Sequence, residues 1–69
     1  MCENKKFMTR RQILDTIKDL GRTKGFYSRL YSRLMSLRIT DHEYFNQFMN
    51  HLVNQQFADP VDVVLYFEC

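Results

Sequence analysis

No lysine or arginine follows Arg38 in this 69-residue chain, and that absence divides it into halves of opposite charge. Residues 1–38 hold all ten basic side chains against three acids, a net +7, whereas residues 39–69 hold five acids and no base, a net −5. An overall charge of only +2 conceals the asymmetry, which excludes a uniformly mixed surface and directs attention to the basic half as a place for an anionic partner.

Glycine and proline are scarce too, at two and one, which excludes a loop-rich or low-complexity chain. A hydrophobic fraction of 45% then places it among folded proteins. The length permits one core only, because a chain this short cannot be divided into two self-sufficient ones. No apolar run approaches the roughly 20 residues needed to span a bilayer, and no stretch has the charged, apolar and small-residue order of a secretory signal. The expected location is therefore the cytoplasm. The only cysteines, Cys2 and Cys69, stand at the extreme ends without a C-x-x-C spacing, and are expected to be free thiols rather than a staple.

Signatures of catalysis are missing. His42 and His51 lie nine residues apart, neither an i, i+4 pair nor part of an H-E-x-x-H arrangement. Gly21 and Gly25 lack the Lys-Ser/Thr ending of a phosphate-binding loop. Asp59 and Asp62 resemble a carboxylate pair, but the first reads as a helix cap and the second as an acid favoured by the helix dipole. The expectation is a protein that is not an enzyme and uses no cofactor or metal.

What is present is helical periodicity. Thr9-Arg10-Arg11-Gln12 forms a T-x-x-Q capping box with Met8 and Ile13 in the staple positions, and apolar residues at 13, 14, 17 and 20 follow it. Gly21 or Gly25 can end this helix by adopting a positive φ. The next stretch, FYSRLYSRLMSLR over residues 26–38, repeats Tyr-Ser-Arg-Leu with a period of four, keeping Tyr and Leu on one side of the wheel and Ser28, Ser32, Ser36, Arg29 and Arg33 on the other. Thr40-Asp41-His42-Glu43 reads as a second box, T-x-x-E, with Ile39 and Tyr44 as its staple. Asp59-Pro60 supplies an N-cap with proline at the first helical position; VDVVLYF beyond it fits strand as well as helix by composition, and helix is preferred because a lone strand has no partner.

The expected architecture is all-α: a compact bundle of four short helices, the last a two-turn closing helix. Helices are placed at about 10–22, 26–37, 41–55 and 60–68, within a single domain of residues 9–69 preceded by a flexible tail of residues 1–8.

Three of these features, the T-x-x-Q helix, Gly25-Phe26-Tyr27-Ser28-Arg29-Leu30 and Phe57-Ala58-Asp59-Pro60-Val61-Asp62-Val63-Val64-Leu65, occur in one order over residues 9–68. In this the chain resembles short uncharacterised helical proteins of Gram-positive gut bacteria, their phages and mobile elements, which share a G-F-Y-x-R-L stretch and an F-x-D-P-V-D-hydrophobic ending. The likeness is weakest from Arg38 to Asn54. It implies a compact helical protein associated with mobile DNA, and carries no activity or site residues.

Two functional readings follow. The first is a protein-interaction module, in which the small polar face of Ser28, Ser32 and Ser36 admits another helix, Arg29 and Arg33 anchor it, and some tyrosines stay partly exposed. Its partner is another protein or a second copy, and an inhibitor or adaptor of a bacterial host protein is the form that the resemblance suggests. The second is a nucleic-acid-binding accessory protein. Read through as one helix, Arg22, Arg29 and Arg33 lie within about 40° of one another with Lys18 on the flank, a stripe able to bond phosphate oxygens. Against both stands internal neutralisation, in which the arginines pair with acids of the third and fourth helices. A helix-turn-helix fits poorly, because the third helix is Asn-rich and acid-headed.

Overall fold

The computed structural model describes residues 7–68, and among them every regular element is helical: α1 (Arg10–Leu20), α2 (Gly25–Thr40), α3 (His42–Asn54) and α4 (Pro60–Glu68). The all-α expectation holds, and residues 60–68 form helix rather than strand. Cys2 and Cys69, with residues 1–6 of the expected tail, lie outside the described residues.

Local chemistry starts α1 as expected. The Gln12 amide N–H donates to Thr9 Oγ1 at 3.3 Å, and the Thr9 N–H donates to Gln12 Oε1 at 2.9 Å, so two otherwise orphaned donors are satisfied reciprocally. Met8 and Ile13 both enter the core. Met8 is therefore part of the fold and not of a loose tail: its side chain is buried and its N–H donates to the Phe57 carbonyl at 2.8 Å, pinning the segment just before α1 to the α3–α4 connection.

The glycines behave differently from expectation. Helix α1 stops at Leu20 rather than residue 22, and neither glycine has a positive φ; Gly21 caps α1 at φ −66°. What Gly21 provides is closeness. A Cβ placed there meets the Ser28 Cα and N at 3.0 Å, so the absence of a side chain lets the start of α2 lie against the end of α1. Gln56, at φ 58°, is the one positive-φ residue among those described, and it turns the chain out of α3.

Helix α2 runs past residue 37 to Thr40, and the expected T-x-x-E box does not form. The Thr40 hydroxyl turns back to donate to the Ser36 carbonyl at 3.0 Å, while capping passes to Asp41, whose Oδ1 accepts from the Tyr44 N–H at 3.3 Å. A single residue thus separates α2 from α3. Ile39 is left 84% exposed, and it forms no staple with the half-exposed Tyr44. At α4 the Asp59 cap holds, with Oδ1 accepting from Val61 and Asp62, and the Asp62 carboxylate accepts from the Ala58 N–H at 2.8 Å.

The core consists of Met8, Ile13, Ile17, Tyr27, Leu34, Phe45, Met49, Leu52, Phe57 and Val63, contributed by all four helices, the segment before α1 and the α3–α4 connection. Helix α1 lies at the centre and packs against each of the others. The α4 backbone approaches α1 alone; long side chains, Phe67 toward Tyr27 and Tyr66 toward His51, tie it to α2 and α3.

Candidate functional site

Helix α2 sets the geometry of the basic surface. With Tyr27 and Leu34 buried, a rotation of about 100° per residue places Arg29, Ser32, Arg33 and Ser36 on the side opposite the core. These four line an open depression of about 390 Å³. The structure thus brings together three residues expected from sequence, Arg29, Ser32 and Arg33. It does not bring in the others. The turn at residues 21–24 interrupts the helix, so the stripe read through from Arg22 to Arg33 is not continuous. Arg22 sits in that turn, 4.0 Å from Asp19 with both side chains exposed; Lys18 is exposed on α1; Ser28 lies beside Gly21.

An apolar groove adjoins the depression. Leu30, Leu34 and Leu37 of α2 and Tyr44 and Phe48 of α3 line a cavity of about 250 Å³, and Arg33 stands on its edge. Arg33 therefore belongs to both features, giving a cationic group at the border of an apolar slot.

Among the described residues one ion pair joins the basic half to the acidic half. The Lys24 ammonium lies 3.0 Å from Glu68 Oε2, and the buried Tyr27 hydroxyl donates to the same oxygen at 2.8 Å. These contacts explain two titration shifts. The Lys24 and Tyr27 hydrogen bonds hold the Glu68 carboxyl below its usual range. Burial, then the hydrogen bond and negative charge of Glu68, push the Tyr27 hydroxyl up to about 12. With Asp19–Arg22, Lys24–Glu68 completes the ion pairs among the described residues. Internal neutralisation thus reaches Lys24, while Arg29 and Arg33 have no carboxylate partner among the described residues.

A second basic cluster was not anticipated. Arg10 and Arg11 of α1, Arg38 of α2 and His42, Phe45 and Asn46 of α3 line a cavity of about 560 Å³, with Leu14 at its wall. Arg10 is fixed by two neutral acceptors, donating to Asn46 Oδ1 at 2.9 Å and to Asn50 Oδ1 at 2.8 Å. The signal in the sequence was the pair Asn46 and Asn50, one helical turn apart, together with two arginines in the first turn of α1 where acids are favoured.

No helix among the described residues is long and apolar enough to cross a membrane. No protein-family model, curated protein or solved structure matches this chain, so the surfaces themselves carry the functional reading.

Proposed function

We propose that the protein is a small non-enzymatic interaction module that docks a protein partner on the outer face of α2 and the adjoining α2–α3 groove. The observation that carries this reading is the position of Arg33, which edges both the Arg29–Ser36 depression and the apolar slot of Leu30, Leu37, Tyr44 and Phe48. A cation bordering a small apolar cavity suits an amphipathic segment bearing acids beside its apolar anchors, the arrangement by which helices dock in grooves. Nucleic acid asks less of apolar side chains and more of a continuous cationic track. One concrete form, resting on the family resemblance alone, is a phage- or mobile-element-encoded inhibitor or adaptor acting on a host protein in the bacterial cytoplasm.

The test compares wild type with an Arg29→Glu, Arg33→Glu double variant as bait in bacterial lysate, with the melting temperature of each measured. A defined protein retained by wild type and lost by the variant at unchanged melting temperature supports the reading; capture that survives the charge reversal, or no capture, overturns it. Sedimentation at rising concentration identifies whether a second copy is the partner.

The second reading, a nucleic-acid-binding accessory protein, draws on the lack of carboxylate partners for Lys18, Arg29 and Arg33 among the described residues. Affinity for a random duplex or single strand that falls steeply with salt and vanishes in the double variant supports it. No binding at low salt removes it.

A further inference from the structure

We infer that the cavity between the start of α1, the last turn of α2 and the first turn of α3 is a binding site for a phosphate dianion. The site is separate from the α2 docking face, and the inference does not depend on that proposal. Three arginines, Arg10, Arg11 and Arg38, line the cavity together with His42. None of its lining residues is acidic.

The manner in which Arg10 is held is the strongest indication. Its fork donates to Asn46 Oδ1 and Asn50 Oδ1, so its orientation is fixed while its charge is left intact. A carboxylate at either position would orient the same fork and neutralise it. Neutral amides sacrifice that attraction. Arg10 and Arg11 also stand in the first turn of α1, where the helix dipole disfavours cations and where no acid offsets them. Both choices work against the isolated fold, and an anion in the cavity relieves both.

The hydrogen-bonding pattern has one polarity. Asn46 contacts His42 Nδ1 through Nδ2 at 3.3 Å, and with its Oδ1 occupied by Arg10 the amide must donate there. His42 Nδ1 then accepts, which leaves Nε2 carrying the proton. The acceptors in this lining, Asn46 Oδ1 and His42 Nδ1, are thus already taken by hydrogen bonds from Arg10 and Asn46. The acids closest in sequence are not in its lining: Asp41 caps α3 through the Tyr44 N–H, Asp15 lines a different cavity beside Pro60, and Glu43 is absent from the wall. Three arginines carry more positive charge than one carboxylate balances. A phosphate monoester, with a charge near −2 and three strong acceptor oxygens, matches both the charge and the donor count.

Such a group arrives either as a free ion or small ester, or at the end of a phosphorylated strand. The experiment titrates the ¹⁵N-labelled full chain with inorganic phosphate, with chloride at matched ionic strength, and with a short oligonucleotide bearing either a 5′-phosphate or a 5′-hydroxyl. Saturable shifts at the Asn46 and Asn50 side-chain amides with phosphate but not chloride support the site. A preference for the 5′-phosphorylated strand over inorganic phosphate identifies the strand end as the source, and the reverse preference identifies the free ion. Arg11→Gln and Arg38→Gln, at positions whose side chains make no hydrogen bond among the described residues, each weaken binding by about tenfold or more, the scale of one charge-assisted hydrogen bond. Shifts that follow ionic strength regardless of the anion, or full affinity in both variants, each overturn the inference; the oligonucleotide pair decides only the source of the phosphate.

Discussion

The two ends of α2 treat positive charge in opposite ways. At its start, Lys24 and the Tyr27 hydroxyl converge on the Glu68 carboxylate, and the contact fastens the last residue of α4 to the second helix. At its finish, about 20 Å further along the axis, Arg38 faces Arg10, Arg11 and His42 across a cavity with no carboxylate in its lining. The first end closes the fold and is satisfied internally. The second is ordered but unneutralised, its Arg10 oriented by amides alone. Charge in this molecule thus serves stability where α4, whose backbone contacts α1 alone, is tied to α2, and is left available at the end already held by α1, α2 and α3. Experiments that break or convert either end test that division.

The largest effect is expected at Tyr27, which is fully buried, packs edge-on against Phe26 and Phe67, and supplies the hydroxyl to Glu68. Tyr27→Ala should cost about 3–5 kcal/mol in urea unfolding, on the scale of other buried aromatic truncations. A small domain holds only about that much in total, so far-UV circular dichroism should show a largely unfolded chain. A variant that melts as wild type does would show that the closed end does not secure the fold.

Next in size is the close approach of α1 and α2 beside that end. Gly21→Ala places a methyl 3.0 Å from the Ser28 backbone, which cannot swing aside as a side chain would, and should destabilise by about 1–3 kcal/mol. Gly25→Ala has no heavy atom within 4 Å and no positive φ, so it should stabilise by about 0.4–1 kcal/mol through the unfolded state. The opposite signs, read from paired thermal melts, separate packing from backbone freedom.

Alkaline titration examines the closed end without a change of shape. The Tyr27 hydroxyl ionises near 10.0 in an unfolded chain and is pushed up to about 12 in the fold. Because the folded value is the higher one, its contribution is complete below pH 10 and is lost as pH rises toward 12. Glu68 works in the other direction: its folded value is lowered, so its contribution is present above the ordinary carboxyl range and disappears as pH falls through the folded value. Tyr27→Phe should therefore flatten the alkaline limb of the stability curve, and an unchanged limb would mean that the hydroxyl is not the group titrating there.

The sequence revealed those features whose partners lie within one helical turn. Thr9 and Gln12 are three residues apart, as are Asp59 and Asp62, and both starts were legible because both halves of each contact are local. Thr40 failed for an equally local reason: two adjacent residues can both cap, and continuation of α2 through Thr40 decides for Asp41. Gly21 does end α1, as expected, but not through a positive φ; what requires a glycine there is the Ser28 backbone of another helix. The arginine stripe depended on one uninterrupted helix across residues 21–24, and the turn there disperses Lys18 and Arg22 from Arg29 and Arg33. The Arg10 site was the least legible. Its acceptors lie 36 and 40 residues away, and no periodicity within one helix reports a contact between two.

The smallest expected change in stability is the most informative about the open end. Asn50→Asp is close to isosteric, leaves the Asn46–His42 contact in place, and gives the Arg10 fork a carboxylate where it now has an amide. The pair is exposed, so the gain should be only about 0.2–1 kcal/mol, read as a slightly higher melting temperature that declines with added salt. Phosphate affinity should fall several-fold in the same variant, because the new negative charge competes for the arginine that the anion requires. A variant that is stabilised yet binds phosphate as before would show that Arg10 serves the fold alone. If stability rises while binding falls, the two ends of α2 differ by the placement of carboxylates, and one substitution is enough to make the open end resemble the closed one.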